Sequence, residues 1–174
     1  MSSKKPEGFK VVLLGDDPKT SLIEPYIDAK FEERYKKSIG VEFFIKTVKL
    51  PTKEHKLILW DVNSQFEGIE KKVKLYLKDA DGAIIFYDVT NLKSFQDVEH
   101  YVEKVIANAK ENVKILLMGM VSEKMIRLIH EEAPTNLITK YPSIIAFNEL
   151  HPGDTEKIEE AFKFLVEELI KEFK

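Results

Sequence analysis

The sequence predicts an α/β fold, a doubly wound, mostly parallel six-stranded sheet with one antiparallel strand and five helices. Three observations carry this. The apolar runs GAIIFY at 82–87 and VKILLM at 113–118 have the continuous hydrophobicity of strands buried on both faces. Between such runs lie stretches whose apolar residues recur at helical spacing, so strands and helices alternate, the order that builds a parallel sheet. One pair of β-branched and aromatic runs, 39–50 and 56–60, is joined by only a short polar turn at 51–54. That reads as an antiparallel hairpin.

Residues 1–8 read as a polar lead, and 9–174 as one domain. Val11 to Leu14 is the first strand. A helix is expected over 20–30, with Pro25 as a kink, followed by a charged loop at 31–38. After the hairpin and a polar loop at 61–68, Ile69 to Leu77 reads as a short helix with Val73 and Leu77 on one face. Asn91 opens a helix in which Phe95, Val98, Val102, Val105 and Ile106 share helical spacing. A further helix is expected over 122–132, with Met125, Ile126 and Ile129 inward and Pro134 as its stop. Ser143 to Phe147 is the last strand. Asp154 is placed to cap a final helix whose Ile158, Phe162, Leu165, Val166, Leu169, Ile170 and Phe173 form an apolar stripe.

Composition narrows the chemistry. A 174-residue chain with 44% hydrophobic and 33% charged residues has the make-up of a soluble globular domain. A net charge of −3 does not suit a nucleic-acid partner. The absence of cysteine excludes disulfides, thiolate metal sites and cysteine catalysis, and leaves no residue in this chain for a prenyl anchor. With no leader-like segment and no run of membrane-spanning length, the expected compartment is the cytoplasm. His55, His100, His130 and His151 are scattered, with no pair at metal-ligand spacing. No Ser-His-Asp set or catalytic carboxylate pair stands out.

The stretch FKVVLLGDDPKTS at 9–21 carries the most information. A strand, Gly15, a tight turn and Lys19-Thr20 opening a helix have the layout of a loop that cradles phosphates with backbone N–H groups and a lysine. Only Asp16, Asp17 and Pro18 separate the glycine from the lysine, where that motif needs five residues ending in a second glycine. Pro18 offers no N–H, and the two aspartates add negative charge where phosphates would sit.

Together with KFEERYKKSIGVEFFIKTVKL, LILWD, YLKDADGAIIFYDVTNLKSFQDV and EEAFKFLVEELI, this stretch resembles the Ras-like small GTPases, the Rab branch above all. The likeness runs from Phe9 to Lys174 and implies the G-domain fold. By position it implies that Gly15, Lys19, Thr20, Ser38 and Asp61 are the vestiges of a nucleotide site. Thr20, Ser38 and Asp61 would serve as Mg²⁺ ligands only if nucleotide binds. Gln65 falls at the water-orienting position, the one catalytic candidate if the chain is active. The family's base-reading Asn-Lys-x-Asp falls on Met120, Val121, Ser122 and Glu123, and its Ser-Ala-Lys turn near Glu149-Leu150-His151. A site built on paired hydrogen bonds loses orders of magnitude when such partners are missing.

Phe43, Trp60 and Tyr76 match the aromatic triad through which Rabs engage helical partners. The resemblance so amended implies a nucleotide-independent interaction module with protein partners on the aromatic face, no direct membrane anchor and no cofactor. The alternative is a divergent GTPase that keeps GTP or GDP with Mg²⁺ and hydrolyses slowly. A phosphoacceptor domain using Asp61 is opposed by the hairpin, which breaks strict strand–helix alternation.

Overall fold

The computed structural model describes residues 8–15, 23–27, 29–30, 40–63, 68–122 and 126–173. Its sheet contains the six expected long strands and, at one edge, a seventh of two residues. In chain order they are β1 (Phe9–Gly15), β2 (Ala29–Lys30), β3 (Val41–Lys49), β4 (Glu54–Val62), β5 (Gly82–Asp88), β6 (Lys114–Met120) and β7 (Ile144–Leu150). They lie in the order β2-β3-β4-β1-β5-β6-β7. β1 pairs in parallel with both β4 and β5, and the parallel run continues through β6 to β7. β3 alone runs against its neighbours, because its hairpin to β4 turns in four residues closed by Leu50 N–H to Lys53 O at 3.0 Å.

Strand alternation divides the core in two. Val12, Leu14, Ile85 and Tyr87 point to one face, and Val11, Leu13, Ile84 and Phe86 to the other. The first face is covered by α1 (Ile69–Leu77), α2 (Leu92–Asn108) and α3 (Glu132–Lys140); the second by α4 (Thr155–Ile170). α4 buries Ile158, Phe162, Leu165, Val166 and Leu169 of the expected stripe; Ile170 is half-buried, and the Phe173 side chain lies outside what is described. α2 buries Val98, Val102 and Val105 and is capped by Asn91, whose side chain accepts from Ser94 N–H at 3.1 Å. Ile106 instead stays on its exposed side.

Three helix expectations change. Of the helix expected over 20–30, residues 20–22 and 28 lie outside the described residues; Ile23 is helical, a 3₁₀ turn follows at Glu24–Tyr26, and Ala29 and Lys30 then pair with β3. Pro25 cannot donate to a helical ladder, and the open edge of β3 offers the chain another set of partners. Of the helix expected over 122–132, residues 123–125, with Met125, lie outside the described residues; 126–130 are irregular, and α3 begins only at Glu132 with Pro134 inside its first turn. A first-turn N–H has no intrahelical acceptor, so proline there removes nothing and starts a helix rather than stopping one. Ile126 consequently lies exposed, while Ile129 is buried as expected. Asp154 precedes α4 as expected, but its carboxylate accepts from His151 N–H at 2.7 Å rather than from the helix. The described residues thus form four α-helices, and the α/β architecture stands. No helix among them is long and apolar enough to cross a membrane.

Candidate functional site

In an open α/β sheet the crevice for ligands opens where neighbouring strands send their chains to opposite sides, beyond their carboxyl ends. Here that point lies between β1 and β5, whose chains leave towards opposite edges of the sheet. Gly15 ends β1 with φ +104°, and a Cβ there would stand 2.1 Å from the carbonyl oxygen of Phe86. Only glycine fits so close an approach. Asp61, opposite Leu13 near the end of β4, is buried. Asp88, ending β5, is engaged by its own turn: its carboxylate accepts from Thr90 N–H at 2.8 Å and from the Thr90 hydroxyl at 2.6 Å. The proposed phosphate and metal residues Lys19, Thr20 and Ser38, together with Gln65 and Glu123, lie outside the described residues.

The ends of β6 and β7 are built differently. Backbone bonds tie the segment down: Val89 N–H to Met120 O at 3.1 Å, and Val121 N–H to Leu150 O at 2.8 Å. Met120 packs against the core cluster under α4, and Val121 against the cluster of the opposite face. Neither side chain carries a group that could read a base edge. Beyond them the chain folds back, and Val89 O accepts from both Leu128 N–H and Ile129 N–H, at 2.7 and 2.8 Å.

Arg127 fastens this loop to β7. Its two terminal nitrogens each donate to one oxygen of Glu149 at 2.7 Å, and one of them also reaches Ile129 O at 3.0 Å. The fork holds the Glu149 carboxyl below the usual carboxylate range and raises the Arg127 guanidinium further above its own. Beneath the strand ends, the Tyr87 hydroxyl is buried with no hydrogen-bond partner among the described residues. Burial, then the charge of Glu149, pushes that phenol far up. The Tyr87 ring passes so close to Gly119 that a Cβ there would lie 2.8 Å from its Cζ and hydroxyl oxygen. Sequence reasoning placed Glu149 only in a turn and missed Arg127 and Tyr87 altogether.

The structure brings the three expected aromatics together. Phe43 and Trp60 face each other across the hairpin, their centroids 4.7 Å apart and their planes at 75°. Tyr76 of α1 sits 6.1 Å from Trp60. Edge-to-face contacts of this kind are favourable for aromatic quadrupoles. Tyr76 is only 7% exposed, and its phenol is raised by burial, whereas Phe43 and Trp60 keep part of their area open. The Lys10 ammonium lies 3.8 Å over the Trp60 ring and donates to Lys78 O at 2.7 Å. Desolvation lowers its pKa, partly countered by Asp79 and Asp81. Tyr76 therefore anchors the cluster to α1, and the other two rings present it.

Among the described residues no group of three His, Asp or Glu side chains could hold a metal ion. Comparison with known proteins places the chain in its lineage. A profile of the Ras family matches residues 10–171. The chain is 28% identical over 169 residues to the Ras-related protein Rab-7b of Paramecium octaurelia, covering 94% of this chain and 82% of that protein. It is 30% identical over 165 residues to Rab-13 of Canis lupus familiaris, covering 93% and 80%. Similarity to Rab-19 of Xenopus laevis is 28% over 166 residues, with 93% and 76% covered. A family match over nearly the whole chain, with relatives at this identity and coverage, means that the chain belongs to the Ras family, as a Rab-like small GTPase relative.

Proposed function

We propose that this chain is a pseudo-GTPase: a Rab-like protein-interaction module that works without a guanine nucleotide cycle, in cytoplasmic vesicle trafficking or signalling. One observation carries the reading. At the strand end where the resemblance puts the base-reading side chains stand Met120 and Val121, half-buried and packed against the core clusters on opposite faces of the sheet. The guanidinium of Arg127 is already committed to Glu149. Guanine does not fit such a set, since its edge needs hydrogen-bond donors and acceptors that these residues lack. The short, proline-bearing loop after Gly15 points the same way. Partners then engage the Phe43, Trp60 and Tyr76 cluster directly.

A divergent GTPase is the second reading, favoured by one feature, the buried Asp61 carboxylate at the crevice. Isothermal titration of the purified chain with GTP, GDP and ATP, with and without Mg²⁺, separates the two. The expected result is no heat of binding at high-micromolar ligand and no nucleotide carried through purification. Tight binding that disappears in Lys19→Ala would overturn the proposal in favour of a working phosphate site.

A further inference from the structure

α1 buries Ile69, Val73, Tyr76 and Leu77, and what it turns outward is unusual. At about 100° per residue, Lys71, Lys74, Leu75 and Lys78 fall on one strip opposite the buried face. All four are exposed, Leu75 by 67%. Among the described residues, Lys71, Lys74 and Lys78 have no ion-pair partner. Of the carboxylates nearby, Glu70 bonds Lys104, Asp81 takes Lys110 at 2.5 Å, and the exposed Asp79 acts on Lys10. The strip does not stop at the helix, because Lys10 bridges the Lys78 carbonyl to the face of Trp60. A row of unpaired lysines around one exposed leucine, running into a half-open aromatic cluster, is concentrated positive charge on a chain of net charge −3.

Resting on the reading of the aromatic face as a partner site, we propose that this strip receives an acidic amphipathic segment of a partner protein. One apolar side chain of that segment packs beside Leu75 and Trp60, and its carboxylates pair with Lys71, Lys74 and Lys78. Charge complementarity favours this occupant: paired carboxylates desolvate the ammonium groups less than an apolar partner would, and steer the encounter. An anionic bilayer fits less well, since the strip offers a single leucine for insertion and the molecule as a whole is negative.

The test is selection of a phage-displayed library of random 16-residue peptides on the immobilised full chain. Affinities of the enriched peptides are then read by fluorescence anisotropy. The expected peptides carry several Asp or Glu around one large apolar residue. Their Kd should rise by about tenfold or more in a K71E/K74E/K78E variant. It should rise less in K71Q/K74Q/K78Q, and stay unchanged in K53E/K163E, which alters two exposed lysines away from the strip. Binding should also weaken as NaCl is raised. Failure to enrich any peptide, enrichment of neutral or basic ones, or indifference to the charge reversal would each overturn the proposal. Adsorption of the chain to phosphatidylserine vesicles, lost in K71E/K74E/K78E while no peptide enriches, would replace it with a membrane surface. Each selection is run with and without GTP and Mg²⁺. Acidic peptides that bind only with nucleotide would leave the strip standing and sink nucleotide independence. A chain silent to nucleotide that selects no acidic peptide would sink the strip alone.

Discussion

The Arg127 and Glu149 fork should be a measurable part of the stability of the crevice end. Its two bonds are charge-assisted and 2.7 Å long, and the Glu149 side chain is 15% exposed against 32% for Arg127. Bonds to a charged partner contribute about 1.5–3 kcal/mol when buried, and the partial exposure here scales that down. Arg127→Met should cost about 2 kcal/mol, because it strands a mostly buried carboxylate and frees Ile129 O. Glu149→Gln, which keeps the shape and some bonding, should cost about 1 kcal/mol. The double variant should lose less than the sum, leaving a coupling of about 1 kcal/mol. Urea unfolding of the four proteins at pH 7 measures this directly. The pH dependence fixes its origin. Because the fork depresses the folded pKa of Glu149, its contribution is complete above the unfolded value, about 4.3, and disappears as pH falls through the lower folded value. The coupling should therefore fade in acid. A coupling near zero at pH 7, or one that persists unchanged at pH 2, would refute the electrostatic account.

Two further substitutions probe the strands beneath. Gly15→Ala combines a positive φ with a Cβ 2.1 Å from the Phe86 carbonyl, so it should abolish soluble, cooperatively folding protein, as followed by circular dichroism. A melting temperature within a few degrees of the parent would mean that β1 and β5 do not approach as described. Tyr87→Phe removes a buried hydroxyl without a partner and should be neutral or stabilising by up to about 1 kcal/mol. A clear loss in denaturant titration would reveal a bond to that hydroxyl.

The strands were legible because burial on two faces leaves a plain trace: GAIIFY and VKILLM can be little else. So was α4, whose stripe repeats for four turns. The segment at 122–132 misled for a physical reason. Its apolar residues sit at helical spacing, yet Ile126 and Leu128 are exposed, and backbone bonds from Leu128 and Ile129 to Val89 hold the chain in a loop instead. Tertiary partners outbid a weak local preference. Of the candidate site, the aromatic cluster could be found because each ring sits in an element recognisable by itself. Arg127 and Glu149 are 22 residues apart and meet only because β6 and β7 are neighbours in parallel register. No local pattern signals that. The Tyr87 hydroxyl was hidden for the opposite reason, since a tyrosine in a buried strand looks like any other core residue.

Which residues at the crevice bear on function depends on what the fold itself requires. Gly15 is demanded by the backbone of Phe86 whether or not anything binds beyond it, so its presence carries little weight for nucleotide chemistry. Asp88 and Ser94 hold the turn into α2, an internal duty as well. Positions 120 and 121 are different. Their structural work is done by main-chain atoms, Met120 O and Val121 N–H, which any non-proline pair would supply. The fold therefore constrains those two half-buried side chains less than it constrains Gly15. That these less constrained positions carry methionine and valine is what the proposed scaffold, retained for its surface, would look like. On the proposed pseudo-GTPase reading, the surface such a scaffold presents is the aromatic cluster and the lysine strip beside it.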